Sequence, residues 1–582
     1  MASDDNGVSF AKGGEEKSLV RRLLAMGFDG ENAKRKAALA AEASKRLDAV
    51  RGKGKGLAQQ QVFVVPGRLE VVGKHTDYCG GSSLLCNTNR GLIVLVRARD
   101  DSIARISSTA FPDSVSYDLK TKKTVPRRSA NGSNDGDGGS SSNGHWSCYP
   151  LTALHRLATN FPSSQQGFDV MIASDLPKAA GMSSSSCVVC AVFLAMEYAN
   201  SLRTTEIFKT NLPQETDFYE YLGCIENGQT KAKLIGSKGV GTFGGSEDHT
   251  AIMASKRAQL SLFRYRPTAF LGSIAVGRDV TFVIASSGVE AHKTGDAMEK
   301  YNLLSLRAAV ICSLLGESCL AKVWTRHVEK KEQQPSEETA KEEEAEEEEK
   351  QESVKDDLAR LKEKILHRMK DREEDFDEDT CSIKFKLKGG SSRRAFSFTE
   401  LCKRLEHFVM ENYVVIPRVC SAFKHRDYEE LGKWVDLSQD LAEKLLGFDV
   451  CFYTETSPRG SAAQAIKWKR QWLSQLKVAP RTGDLNMLHA FVEMARETGA
   501  HAASAFGAGF GGSVWALVDR DKVETFVVDW KKSYKARFGE KQADVAEFFS
   551  FDPVDQAQGA FATTSYKLRL KAGYTERHAW LA

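Results

Sequence analysis

The sequence predicts a globular chain of more than one domain that combines helices with mixed sheet. Length and composition point there first: 582 residues, 41% of them hydrophobic, suffice for more than one core. The hydrophobic period then changes, from helical spacing over residues 17–49 to runs of β-branched residues from Gln61 onward. Finally, a serine run at Ser183–Ser186 opens directly into a long apolar helix, "CVVCAVFLAMEYA". The formal net charge of +4 is small for this length, and no long Lys/Arg stripe is interleaved with aromatics, so nucleic acid is not an expected partner. No run of 18 apolar residues occurs, and "MASDDNGVSF" has neither a basic n-region nor an apolar h-region; a cytoplasmic protein without membrane contact is expected.

Residues 1–60 read as a helical N-terminal extension. Within it, "KSLVRRLLAMGFDGENAKRKAALAAEASKRLDAV" forms two amphipathic helices broken near Gly30, with Leu19, Leu23 and Leu24 on one face. Strands follow at "QVFVVPG", "RLEVVG" and "GLIVLVRAR", bounded by Gly, Pro and Asn. Between the first two and the third, "GRLEVVGKHTDYCGG" crowds an arginine, a lysine, a histidine and an aspartate against a Gly-Gly turn. Residues 127–144, "RRSANGSNDGDGGSSSNG", have the composition of a flexible surface loop.

The strand Phe168–Ala173 leads through Asp175-Leu176-Pro177 to Gly181, Met182 and four serines ahead of the apolar helix. Unpaired N–H groups and the positive dipole end of a helix face an anion there, and the hydroxyls can donate to phosphate or reach a metal ion. A serine-rich cap without a ligand needs only one serine. No G-x-x-x-x-G-K-[ST] is present, so this is not a Walker A loop. Cys187 and Cys190 form the only CxxC, and with no second CxxC or histidine pair at zinc spacing they are expected to pack as apolar residues.

In "GVGTFGGSEDHTAIMAS", Glu247, Asp248 and His249 follow a glycine-rich turn. Alone they read as a solvated turn. Beside a bound phosphate, a carboxylate there could orient or deprotonate an attacking hydroxyl, or hold Mg2+. Residues 327–395 form a charged insert that is expected to be disordered, with its "EEEAEEEE" block solvated. Leu358, Leu361, Ile365 and Met369 recur at helical spacing inside it, which reads as a docking helix or a helix for a protein partner. In "ASAFGAGFGGSVWALV", Gly507, Gly509 and Gly512 match G-x-G-x-x-G, but the motif opens onto a strand rather than a helix, which demotes a dinucleotide fingerprint and leaves a glycine-rich loop whose backbone can approach a ligand or another segment.

Three of these motifs, in order, resemble the GHMP kinases, and the first resembles the galactokinase-like branch. "PGRLEVVGKHTDYCGG" is similar to that branch's signature, "LPKAAGMSSSS" to the family's phosphate loop, and "FGAGFGGSVWALV" to its C-terminal glycine motif. "GSEDH" and "SSGVEAHKTGDAMEKY" fit the intervening pattern. The resemblance implies an α+β, two-domain GHMP kinase fold with the active-site cleft between domains and a ferredoxin-like α/β core in the C-terminal domain. Residues 61–275 would form the first domain and 276–582 the second, with 327–395 inserted.

It further implies an ATP-dependent sugar kinase with Mg2+, acting on the anomeric hydroxyl of galactose or a close relative. Asp248 would be the catalytic carboxylate and Arg68 its partner at the transferred phosphoryl group. Lys74, His75, Asp77, Gly245 and Tyr301 would bind the sugar. Gly181, Met182, Ser183, Ser184, Ser185, Gly507 and Gly509 would bind ATP, and Ser184 with Glu226 would hold the metal. Two departures stand out: Ala179 replaces a loop glycine, and Lys74 replaces a glutamate that accepts from sugar hydroxyls. Either Lys74 turns away toward an acid such as Glu70, or it meets a negative substrate such as galacturonate. An inactive sugar and ATP sensor acting through a protein partner is the alternative of a different class.

Overall fold

A computed structural model of the chain describes residues 14–51, 60–126, 145–177, 181–288, 296–332, 345–386, 393–446, 487–507 and 512–559. Helices α1 (Gly14–Ala25) and α2 (Gly30–Arg51) precede strand β1 (Gln61–Val72) and the long strand β2 (Ser82–Ala98). Strands β3 (Ile103–Ser108), β4 (Ser114–Asp118) and β5 (Lys123–Thr124), helix α3 (Cys148–Asn160), β6 (Phe168–Ser174) and helix α4 (Ser184–Asn200) follow. Then come α5 (Glu206–Asn211), α6 (Glu215–Asn227), α7 (Glu247–Ala254), β7 (Gln259–Arg264) and β8 (Ala269–Ala275). The mixed sheet they build has β2 at its centre, pairing with β1, β6 and β7, and its one parallel pair joins β3 to β6.

Alternation along the strands explains why both faces of this sheet are covered. Phe63, Val65, Leu92 and Val94 face the core under α4, whereas Val62, Val64, Ile93 and Leu95 face Leu19, Leu23, Ala37 and Leu47 of α1 and α2. The N-terminal helices are therefore a layer of the fold. Leu24, expected on the same face as Leu19 and Leu23, is exposed, because it lies one residue off the i, i+4 stripe. Cys187 and Cys190 are buried in the α4 core, and burial pushes both thiols well up, so neither is poised to ionise.

The second sheet begins at β9 (Val280–Ser286). After helices α8 (Asp296–Leu315), α9 (Leu320–Glu332) and α10 (Ala345–Lys370) comes a small three-stranded sheet, β10 (Phe376–Asp377), β11 (Ser382–Lys386) and β12 (Arg393–Ser397). Helices α11 (Phe398–Met410), α12 (Ile416–His425) and α13 (Tyr428–Leu441) lead, with the helix Met487–Glu497, to β13 (Ala502–Phe506) and β14 (Ser513–Asp519). The helix Val523–Phe538 then returns the chain to β15 (Glu547–Phe551), and β16 (Gln558–Gly559) rejoins the first sheet beside β1. The spatial order β13-β14-β9-β15, antiparallel throughout, is the ferredoxin-like arrangement. Phe282 and Ile284 share a core with Leu69 and Leu84 of the first sheet and with Met182 ahead of α4, so the two sheets are joined through apolar packing.

The expectation of a disordered insert over residues 327–395 is corrected for its described residues. Leu358, Leu361, Ile365 and Met369 are all buried against Ile311, Leu320 and Phe408, so the stripe of α10 docks within this chain. The stretch Met298–Glu329 has the length and hydropathy of a membrane span, yet Leu304, Ile311, Leu314 and Leu320 within it are buried. The 127–144 loop and residues 333–344 lie outside the described residues.

Candidate active site

The site starts from an irregularity in β1. Pro66 has no N–H to give the ladder, and the register to β2 shifts between Pro66 and Arg68. Such a bulge re-aims the next side chain. Arg68, 3% exposed, donates from Nε to Asp248 Oδ1 at 2.7 Å and from Nη1 to the Gly181 carbonyl at 2.9 Å. Glu70 and Glu247 stand 3.9 Å and 4.0 Å from the same guanidinium. Burial works against its charge, but Asp248, Glu247 and Glu70 outweigh burial and raise the pKa.

Between β1 and β2 the turn is fixed from several sides. Thr76 Oγ1 donates to the carbonyls of Gly73 and Ser82, and Asn412 Oδ1 accepts from the Ser82 N–H. His75 adopts φ 56°, a left-handed conformation uncommon for a side chain of this size. Arg404 of α11 holds it there, donating to the His75 carbonyl at 2.6 Å and to Cys79 Sγ at 2.8 Å. The His75 ring lies 2.9 Å from the Tyr78 hydroxyl through Nδ1, and its centroid is 5.4 Å from that of Tyr301. Asp77 accepts from the N–H groups of Tyr78 and Glu247, and burial still pushes its carboxyl up. A side chain at Gly245 would collide with the Asp77 carboxylate, which accounts for glycine there.

Helix α8 closes the far side. Asn302 donates to the Gly241 carbonyl and accepts from the Phe243 N–H, both at 2.8 Å, and so pins the loop that carries Gly244 and Gly245 next to Tyr301. Arg68, His75, Asp77, Gly245, Asp248, Tyr301, Glu226 and Gly507 all line one cleft of about 560 Å³ including its mouth. Sequence reasoning left Glu70, Ser186, Glu247 and His249 out of that lining.

At the α4 end, Ser183 is the N-cap residue with φ 60°, and its side chain makes no capping bond. Its buried hydroxyl has no hydrogen-bond partner, so the first-turn amides of the helix are left open to an anion. Met182 packs its side chain into the core shared by the two sheets, leaving only its backbone for a nucleotide. Ser184 is exposed and Ser185 half-buried. Ser186, not Ser184, meets the expected metal carboxylate: its hydroxyl donates to Glu226 Oε2 at 2.9 Å and lies 3.3 Å from Asp248 Oδ2. The helical turn brings the fourth serine onto the α6 side. His249 Nε2 lies 3.1 Å from Glu226 Oε2.

Gly507, at φ 85°, abuts this loop, and a Cβ on it would lie 2.8 Å from the Gly181 carbonyl. The phosphate loop and the C-terminal glycine loop thus meet backbone to backbone. Gly509 and Ala179 lie outside the described residues.

Ser186 and Glu226 offer hard oxygen donors of the kind Mg2+ takes together with phosphate oxygens and water. Among the described residues no group of three or more His, Cys, Asp or Glu forms a self-sufficient metal centre. The residues present fit a metal that arrives with a nucleotide.

Lys74 does not face the cleft. Its ammonium, 1% exposed, donates to Ser504 Oγ at 2.7 Å and Ser438 Oγ at 3.3 Å. Ser438 in turn donates to Glu411 Oε1, which also accepts from the Gly73 N–H. The expectation that Lys74 contacts substrate is corrected, because its ammonium is buried on hydroxyls of α13 and β13 and Lys74 does not line the cleft.

Comparison with known proteins agrees with this geometry. Residues 149–228 match the GHMP kinase N-terminal domain. The chain resembles the crystal structure of Lactococcus lactis galactokinase complexed with galactose, with a TM-score of 0.55 over 90% of this chain and 99% of that one. At 19% identity this is a likeness of fold. Fold and matched domain are those of the GHMP kinase superfamily. Residues 55–98 match the galactokinase galactose-binding signature. The chain is 31% identical over 133 residues to the galactokinase of Glaesserella parasuis, an alignment spanning 23% of this chain and 30% of that protein. It is 28% identical over 165 residues to that of Streptococcus thermophilus, spanning 28% and 39%. The alignments therefore span well under half the length of these relatives.

Proposed function

We propose that the chain is an ATP-dependent sugar kinase that phosphorylates the anomeric hydroxyl of galactose or a close neutral relative. The observation that carries this reading is the Arg68 guanidinium bonded at once to Asp248 and to the Gly181 carbonyl of the phosphate loop. One side chain thereby joins the carboxylate for the attacking hydroxyl to the place where the phosphoryl group would sit. Phosphoryl transfer depends on positioning and charge stabilisation more than on covalent chemistry.

Asp248, held beside a cation, would orient the sugar hydroxyl and accept its proton. Arg68, bonded to Asp248, would hold that carboxylate in place and neutralise charge building on the phosphoryl oxygens. The open amides after Ser183 would cradle the nucleotide phosphates, with Gly507 approaching from the other side. Ser186 and Glu226 would hold Mg2+, which supplies charge neutralisation between phosphates. His75, Asp77 and Tyr301, around Gly245, would bind ring hydroxyls. The galacturonate variant rested on Lys74 facing the sugar and is dropped with that expectation.

A coupled ADP-release assay over a panel of hexoses, pentoses and uronates tests the reading. Turnover with at least one neutral sugar is expected, falling about 10³-fold in kcat for Asp248→Asn. Equal turnover of wild type and variant would overturn the role of Asp248.

A further inference from the structure

Two buried carboxyls in the cleft have no place in that assignment. Glu70 and Glu247 each carry a buried oxygen, Oε1 in both cases, without a hydrogen-bond partner. They differ in what surrounds them. Glu70 lies on β1 behind Arg68, in the field of both Arg68 and Lys74. Glu247 sits at the seam of the two half-sites: its N–H donates to Asp77 Oδ2 at 3.3 Å, and its Oε1 lies 4.0 Å from Arg68 Nε. It is 5% exposed and lines the cleft.

A buried carboxyl oxygen with unmet hydrogen-bonding capacity is unfavourable until a donor reaches it. Water or a ligand hydroxyl in the cleft could supply that donor, and the position of Glu247 between Asp77 and Asp248 says which hydroxyl. We propose that Glu247 is a sugar-binding residue that hydrogen-bonds a hydroxyl next to the one phosphorylated, and that the cleft takes a neutral sugar in preference to a uronate. The inference rests on the sugar-kinase reading of this cleft. Its second half follows from charge. Glu70, Asp77, Glu226, Glu247 and Asp248 line the cleft, and among the described residues Arg68 is the only lysine or arginine in that lining. Arg68 already faces three of those acids, and the Lys74 ammonium is spent on Ser504 and Ser438. A sugar carboxylate would enter an acidic wall with no lysine or arginine among the described residues left to meet it.

The competing role for Glu247 is purely internal, as a buried acid that helps hold Arg68. Calorimetric titration of the full chain, without nucleotide, with D-galactose and with D-galacturonate separates the two. Glu247→Gln keeps a hydrogen-bonding group and should bind galactose within about threefold of wild type, whereas Glu247→Met and Glu247→Ala should bind it about tenfold or more weakly. Wild type should favour galactose over galacturonate by about tenfold or more. Thermal melts identify any variant that fails to fold, and the inference is then read from the other apolar variant and from the Gln variant. Unchanged galactose affinity in the apolar variants, or a wild-type preference for galacturonate, overturns the inference while the sugar-kinase reading stands. Wild-type protein that binds neither sugar removes both.

Discussion

Arg68 and Lys74 sit at the two ends of one strand-to-turn segment, both almost fully buried, and they have been given opposite surroundings. Arg68 lies among carboxylates, which raise its pKa in spite of burial. Lys74 lies among hydroxyls, and burial lowers its pKa because Glu411, Glu70 and Glu443 oppose it only in part. A buried cation with a carboxylate in direct contact can organise charge for chemistry. A buried cation bonded to hydroxyls ties segments together: Lys74 links the turn carrying His75 to Ser504, on the strand that ends beside Gly507. The partner of the charge, rather than the charge itself, tells the two roles apart.

This contrast can be broken most directly at its catalytic end. Replacing Arg68 by Met should lower kcat about 10³-fold, comparable to the loss on Asp248→Asn, because each leaves the other without its partner. Steady-state kinetics would break the contrast if Lys74→Met lost as much. A smaller effect is expected when Lys74 keeps its charge and loses its acceptors. Ser438→Ala with Ser504→Ala should destabilise the fold by about 1–3 kcal/mol in urea titration, since an ammonium is left buried with unmet donors. Its kcat should change less than for Arg68→Met.

The smallest effect sharpens the contrast through pH. Below its lowered folded pKa, Lys74 is charged in both states, and the burial penalty is present in full. As pH climbs from that value toward the ordinary 10.5, the unfolded chain holds a proton that the folded chain has released, so stability rises. Lys74→Met removes that rise. It also leaves Ser438 bonded to Glu411 and Ser504 bonded to Gln439, so stability near pH 7 should move by no more than about 1 kcal/mol. Urea midpoints at pH 7 and pH 10 check both statements.

Much of this arrangement could be read from the chain because local patterning encodes it. Arg68, His75, Asp77, Gly245, Asp248, Tyr301 and Gly507 stand in motifs whose turns and strand ends determine where they point, and the cleft gathers them. Glu70 was read only as an acid for Lys74, although at i+2 it shares a strand face with Arg68 and joins it in the cleft. Ser186 was missed because four adjacent serines look alike until the helical phase is known, and that phase puts the fourth one against Glu226. The direction of Lys74 was not legible: its partners Ser438 and Ser504 lie hundreds of positions away, and no local pattern announces them. The insert misled for a related reason. Its acidic composition argued for solvent, while the stripe Leu358, Leu361, Ile365 and Met369 found its cover on the flanking helices α8, α9 and α11, which composition does not announce.

The central claim is that the Arg68–Asp248 pair performs phosphoryl transfer to a sugar and that Lys74 only supports the fold around it. Phosphorus NMR of reactions with ATP, Mg2+ and D-galactose tests it most directly, comparing wild type, Asp248→Asn and Lys74→Met. Sugar 1-phosphate should accumulate with wild type and Lys74→Met and be nearly absent with Asp248→Asn. Product formed by Asp248→Asn at the wild-type rate, or lost equally in Lys74→Met, would contradict the account.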